Sequence, residues 1–275
     1  MRKEQFLQLV EEAKSGSNPI ISDKSFEGFT LSKMDLSRIT FNACRFDSVD
    51  FDNCKFKLTD LRNSTLLMCS FDGCNFEGAH LEGTVWQRCD GSLVTFDGCK
   101  MNESHFDHGK WNVVYWMGCE LQGLQMEGVR LMQSVMQSSD LVGAVMKDCE
   151  FEQNRFMQSK VSNARFISVM FHDTSLDRVL GGSIPNTEFV GCYFGSSDFS
   201  GMELDGIRFH RCNFRSAFFN GASLQWTDFQ DSQVNNSNFR SCKFNQTNFR
   251  GVDLSNAQFD EDLDRSKLIS DSMEV

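Results

Sequence analysis

The sequence predicts an all-β solenoid, and three observations lead there. The first is a period of five. From Phe189 to Phe259 every fifth residue is Phe, Leu or Val without exception. The second is the residue two places before each of these centres, which is mostly small: Cys192, Ser197, Cys212, Ala217, Ala222, Ser232 and Ser237. A period of five fits neither a helix at about 3.6 nor an alternating strand at about 2. It is an internal repeat, and it sets the architecture before any local reading. The third is composition: 27 Phe against 2 Tyr and 2 Pro, far from ordinary usage. Such a chain grows by stacking and needs no single round core.

Residues 1–20 are expected to form an N-terminal cap, with a helix over 2–15. Phe6, Leu9, Val10 and Ala13 share one helical face, Glu4, Gln8, Glu11 and Glu12 lie elsewhere, and Gly16 is a stop. This helix would cover the first open coil, as terminal repeats require; a docking helix for a partner is the alternative. Residues 21–260 carry the repeat. Centres begin at Phe26 and run through Phe46, Leu66, Trp86, Phe106, Met126 and Met146 to Leu176, with Gly91 as the one failure. A missing core Phe leaves a cavity costing about 3–5 kcal/mol unless it is filled. A nearby Trp (Trp86, Trp111 or Trp116), or Leu93 through a local bulge, is expected to fill it; a functional break or bend is the rival reading. After Leu176 the frame slips by three residues. Gly181, Gly182, Ser183 and Pro185 read as a surface loop near 177–183, not a domain boundary, because the same repeat continues on both sides. Residues 261–275 form an acidic tail, in which a short helix can begin at Asp260–Asp264 with acids at its N-terminus.

The stretches Ala43-Cys44-Arg45-Phe46-Asp47, Asn53-Cys54-Lys55-Phe56-Lys57, Gly78-Ala79-His80-Leu81-Glu82 and Val252-Asp253-Leu254-Ser255-Asn256 resemble the pentapeptide-repeat family, whose loose consensus is A(D/N)LXX. The resemblance runs over residues 26–259. It implies a right-handed quadrilateral β-helix with four repeats per coil. About twelve coils at strand spacing would give a rod of roughly 55–60 Å, and every twentieth residue would line one column. It also implies a choice of functions. The first is a rigid, non-enzymatic scaffold or adaptor that binds another protein. The second is an acidic mimic of duplex DNA that binds gyrase or another type II topoisomerase, as the fluoroquinolone-resistance type does. The third is an adaptor or cargo of a bacterial secretion system. Similar rods dimerise through the C-terminal end, which implies a homodimer here.

The net charge of −11 argues against direct binding of nucleic acid or an anionic membrane. No segment approaches the roughly 20 apolar residues of a membrane span. Met1-Arg2-Lys3-Glu4 leads into a charged amphipathic stretch and not an apolar signal core, so a cytoplasmic location is expected. All eleven cysteines stand two residues before a repeat centre. That position predicts small, buried, reduced side chains, and no short CxxC-like spacing offers a zinc site.

No phosphate loop, GxSxG or HExxH is present, and the five histidines fall at outward or corner positions. No catalytic residue, metal or cofactor is expected. Two surfaces stand out instead. Tyr115, Met117, Met132, Val135 and Met157 are outward apolar residues in mid-rod, with Val142, Val145, Ile167 and Met170 nearby, and a contiguous set of this kind marks a partner surface. Glu27, Asp47, Asp107 and Glu127 share an acidic column, which Leu67 and Gln87 interrupt. A phosphate mimic needs regular one-sided carboxylates, since duplex DNA shows one charge per about 1.7 Å. Residues 184–259 hold seven acidic and six basic side chains, so that end is nearly neutral. Leu263, Leu268 and Ile269 are placed to cap the open C-terminal coil or to meet a second copy there, because an uncovered end exposes unpaired strand edges.

Overall fold

The computed structural model describes residues 1–16, 19–156, 159–160, 164–167, 169–172, 182–183 and 188–270. The chain winds into a right-handed, four-walled β-helix of about eleven turns. Each wall pairs in parallel with the same wall one coil on, at a step of twenty residues: Phe26 with Phe46, Leu66 with Trp86, and Phe106 with Met126. The first wall carries those centres. The second carries Phe51, Phe71, Gly91, Trp111 and Leu131, the third Phe56, Phe76, Phe96, Trp116 and Met136, and the fourth Leu61, Leu81, Met101 and Leu121.

The pentapeptide unit explains the square section. Residues two before a centre and the centre itself share one face of an extended segment, and both point inward. The residue two after the centre takes a left-handed backbone, as in Asn53 (φ 51°), Asn63 (φ 57°) and Gly73 (φ 66°), and turns the corner. The backbone is satisfied between coils: the Phe56 amide donates to the Asn75 carbonyl at 2.7 Å, and the Asn75 amide donates back to Cys54 at 3.1 Å. Asp and Asn just before a centre accept from the amide two residues on, as Asp60 does from Arg62 at 3.1 Å and Asn75 from Glu77 at 2.8 Å.

Two kinds of ladder fill the interior. Phe rings stack along the axis at the coil spacing, with centroids 4.4 Å apart for Phe56–Phe76, 4.6 Å for Phe199–Phe219 and 4.7 Å for Phe219–Phe239. Rings from adjacent walls meet edge to face, as in Phe194–Phe199 at 5.5 Å. Both are the favoured aromatic geometries. The second ladder is polar. Ser64 Oγ donates to the Phe41 carbonyl at 2.7 Å, Thr227 Oγ1 to Leu204 at 2.8 Å, and Cys99 Sγ to Phe76 at 2.9 Å. Ser, Thr and Cys thus exchange freely at this site: each is small and donates one hydrogen to the coil before. Ten of the cysteines are buried and Cys242, in the last full coil, is half-buried.

The helix spans Lys3–Ser15 and ends on Gly16. Phe6, Val10 and Ala13 are buried, and the Phe6 ring meets Phe26 edge-on at 4.9 Å. The Met1 ammonium donates to the Ser25 carbonyl at 2.6 Å. The helix therefore closes the N-terminal end.

At Gly91 the ring of Trp111, one coil on, fills the gap. A Cβ built on Gly91 would lie 2.8 Å from Trp111 Cζ3 and 2.9 Å from Val94 Cγ2. Phe71 and Trp111 are two coils apart, a separation of about 10 Å at strand spacing. Their ring centroids are nevertheless only 6.3 Å apart and nearly parallel, at 13°. Leu93 does not take part: it points outward and is 62% exposed. The wall stays in register across the break, with Gly91 opposite Trp111, so there is no bend. The cost is polar, because Nε1 of Trp111 is buried without a hydrogen-bond partner.

The frame slip is a short coil. Glu152 pairs with His172 at a step of twenty, whereas Ala164 pairs with Gly182 and Phe171 with Phe189 at a step of eighteen. Two residues are thus lost between His172 and Gly182. Gly182 and Ser183 are strand, not loop; residues 177–181 of the expected loop lie outside the described residues.

The tail adds a partial last coil. Leu268 and Ile269 pair with Thr247 and Asn248, and the Phe249 amide donates to the Ile269 carbonyl at 2.7 Å. Leu263 and Leu268 rest on the core, and the one helical turn is a 3-10 turn at Arg265–Lys267.

Candidate protein-interaction surface

The expected apolar residues divide between walls. Tyr115 and Val135 are adjacent on the third wall, bridged strand to strand, and Met117 lies beside them on the same wall. Tyr115 is 37% and Met117 44% exposed. Met132 is half-buried on the second wall, next to the corner, opposite Asn112. Met157 lies outside the described residues. Met170 belongs to the second wall and Val145 and Ile167 to the first, so they do not extend this patch.

The structure adds two residues that the sequence reading did not place there. Leu93 and Val113 stack on the corner between the second and third walls, because Ser92 pairs with Asn112 and Val94 with Val114. They connect Met132 on one wall to Tyr115, Val135 and Met117 on the other. Both have left-handed backbones, at φ 57° and 52°. A branched side chain there is strained, and for a β-branched Val it is an outlier. The same corner column elsewhere carries Lys33, Asn53, Gly73, Gln133 and Gln153, residues that suit the position or stay in water. That contrast was available in the sequence, in the corner column and not in the outward columns. The rim is polar. Asp97 accepts from the Met117 amide at 2.9 Å, Gln133 donates to Gln153 at 3.1 Å, and Arg155 follows Val135 along its column.

Two of the four acids in the column, Asp47 and Glu127, are paired with cations, and Glu27 has no ion pair among the described residues. Asp47 pairs with Arg45 at 2.8 Å and Glu127 with Lys147 at 2.6 Å. Asp107 accepts from Gln87 at 3.0 Å and lies 2.6 Å from His108 Nδ1. The hydrogen bond to His108 holds the Asp107 carboxyl below its ordinary pKa, and the bond from Lys147 does the same for Glu127. A denser acidic set sits on the second wall: Asp50, Asp52, Asp72 and Asp90. Several of these are used structurally. Asp50 accepts from Ser70 at 3.0 Å, Asp72 from the Ser92 amide at 2.9 Å and Asp90 from the Lys110 amide at 2.6 Å.

Two family models match the chain. One, described as a pentapeptide repeat region, matches residues 183–259, and one described as pentapeptide repeats (8 copies) matches 25–66 and 69–107. No curated protein matches. Among solved structures the chain is similar to trypsin-treated QnrB1, a plasmid-mediated fluoroquinolone resistance protein, at 14% identity over 88% of this chain and 92% of that one, with a TM-score of 0.26. It is similar to HetL, a pentapeptide repeat protein involved in heterocyst differentiation regulation from the cyanobacterium Nostoc sp. strain PCC 7120, at 17% identity over 94% and 92%, TM-score 0.27. A mannuronic acid-specific polysaccharide family 6 lyase aligns at 8% identity over 98% and 83%, TM-score 0.43. At these levels the likenesses carry nothing about function. The two family models cover more than half of the chain between them, and with the four-walled coil they place it: the chain belongs to the pentapeptide-repeat family.

Proposed function

We propose that the protein is a non-enzymatic, rigid scaffold that binds another protein through the apolar corner formed by Leu93, Val113, Tyr115, Met117, Met132 and Val135. One observation carries this reading. Leu93 is 62% exposed on a left-handed backbone. A residue placed so costs about 1–2 kcal/mol relative to Gly, and exposure returns nothing to the fold. Strain kept at an exposed position points to a use elsewhere. Apolar centre, polar rim and Tyr and Met content match the anatomy of interface cores, and Met adapts to varied partners. The interior is filled by ring ladders and the carboxylates just described are engaged in turns and ion pairs, which favours recognition over chemistry. The test is affinity capture from the native host with wild type and with Leu93→Ser/Tyr115→Ser/Met117→Ser. A partner held by the first and lost by the second, at equal melting temperature, supports the reading; equal capture refutes it.

The second reading is a DNA mimic that binds gyrase. The net charge of −11 and the second-wall acids Asp50, Asp52, Asp72 and Asp90 favour it. The pairing of Asp47 and Glu127 with Arg45 and Lys147 weighs against it. A mimic inhibits or protects gyrase in a supercoiling assay with salt-sensitive binding; no effect at micromolar protein removes this reading. The cytoplasm and a homodimer through the C-terminal end belong to the same proposal. Phe259 and Leu268 remain half-buried at that end, where a second copy would cover them.

A further inference from the structure

The corner between the first and second walls has a different chemistry from the apolar one. An open cleft of about 320 Å³ lies there, lined by Arg88, His108, Lys110 and Arg130 together with Asp90, over Gly109 and Gly128. Its volume is at the low end of small-molecule sites, about 300–1,000 Å³.

Two glycines make the room. Gly109 has φ 125°, and a Cβ on it would stand 2.1 Å from the Cys89 carbonyl oxygen, so no side chain fits. The backbone is displaced as well. The Ser70 and Asp90 amides donate to the carbonyls of Val49 and Cys69 in the coil before. The equivalent Lys110 amide donates instead to Asp90 Oδ1 at 2.6 Å. Gly128 turns its corner at φ 62°, and the His108 ring lies over it, 2.8 Å from where a Cβ would be. Three successive coils thus bring cationic side chains to one side-chain-free floor.

The electrostatics favour an anion. Arg130 is held by Glu150, with Nε 2.7 Å from Oε2, which fixes its guanidinium at the edge of the cleft. His108 is held by Asp107. Among the described residues no ion pair engages Arg88 or Lys110. Asp90 is the one carboxylate lining the cleft, and its Oδ1 is committed to the Lys110 amide. With Arg130 and His108 committed to Glu150 and Asp107, the uncompensated cations at the cleft are Arg88 and Lys110, against the single carboxylate of Asp90. Arg presents a planar fork that matches the oxygens of a phosphate, and Lys a point charge.

We propose that this cleft binds a phosphate or diphosphate group. The site is separate from the apolar corner, and its fate does not depend on the scaffold reading. The test is titration of inorganic pyrophosphate, and in parallel ADP, into the intact protein at low ionic strength, followed by calorimetry or amide chemical shifts. Saturable one-to-one binding is expected, weakened about tenfold or more by Arg88→Gln with Lys110→Gln and by added salt. Arg240→Gln, far down the rod, leaves it unchanged. Equal affinities for pyrophosphate and ADP assign recognition to the phosphates alone, and tighter ADP assigns the source to a nucleotide; both support the site. No saturation by about 10 mM, or equal binding by the double variant, overturns it. Should the double variant melt early, Arg88→Glu alone decides on the same criterion.

Discussion

Gly91 and Trp111 act as one unit, and that can be measured. Gly91→Phe alone puts a ring where Trp111 already lies, since even a Cβ there would meet Trp111 at 2.8 Å; overpacking of this kind costs about 1–3 kcal/mol. Trp111→Phe alone has two opposed effects. It opens a cavity beneath Gly91, destabilising by about 1–3 kcal/mol, and it removes a buried, unpartnered indole N–H, whose desolvation costs a similar amount. Near-neutrality is expected. The double variant, Gly91→Phe with Trp111→Phe, continues the phenyl ladder from Phe71 through both changed positions without a gap. It also loses the orphan N–H and replaces a glycine whose φ is not left-handed, which lowers unfolded-state entropy by about 0.4–1 kcal/mol. Val94 must turn its methyl away. The double variant should match or exceed wild type and exceed Gly91→Phe by about 3 kcal/mol, at the upper end of measured couplings. Urea unfolding by circular dichroism reads this, with a constant m-value as the check on comparability. If the double variant is as unstable as the sum of the singles, Trp111 is not what fills the gap.

Further expectations concern the corner, the thiols and the tail. Leu93→Asn should raise stability by about 0.5–1 kcal/mol, because Asn tolerates the left-handed backbone, while weakening partner binding; a loss of stability would show that Leu93 is part of the fold. Burial pushes the thiols of Cys119 and Cys242 up to about 12 and that of Cys149 up to about 11, from 9.0. A raised folded pKa gives stability that is complete below the unfolded value and lost above it. Each of these thiols should therefore cost about 1.4 kcal/mol per pH unit above about 9 until its folded pKa is reached; a flat stability profile from pH 8 to 10 would contradict this. Native thiol labelling should be slow, with Cys242 first, and rapid labelling of most cysteines would refute their interior placement. Deleting residues 262–275 should expose the last phenyl rings and give aggregation or a new mass in light scattering; unchanged mass and melting temperature would make the tail dispensable.

The period of five was enough to place the walls and the inward cysteines, because in a solenoid every twentieth residue meets its neighbour whatever the loops do; the N-terminal cap was legible separately, from the helical spacing of Phe6, Val10 and Ala13. The interior around Gly91 was only half legible. A vacant position signals that something fills it, but Trp111 and Leu93 differ in reach, and only the fold shows Trp111 leaning over Gly91 toward Phe71. The interaction surface was partly legible for a related reason. Tyr115, Met117, Val135 and Met132 stand out in outward columns, but the sequence reading sorted residues by wall, and Leu93 and Val113 belong to a corner. The acidic column shows the limit of column reading: Arg45 and Lys147 neutralise Asp47 and Glu127 from neighbouring positions. The phosphate cleft was not legible, because its opening comes from the displaced backbone at Gly109, which no periodicity encodes.

The most direct test of the scaffold reading is site-specific photocrosslinking in the native host. A photoreactive residue replaces Met117, on the third-wall edge of the apolar patch, or Arg215, on the same wall nearer the C-terminal end. A scaffold that binds through the apolar corner gives one crosslinked protein partner from position 117, absent from position 215 and lost when Leu93 is also changed to Ser. Equal crosslinking from both positions, or none from 117 while the protein still associates with its partner, would contradict it.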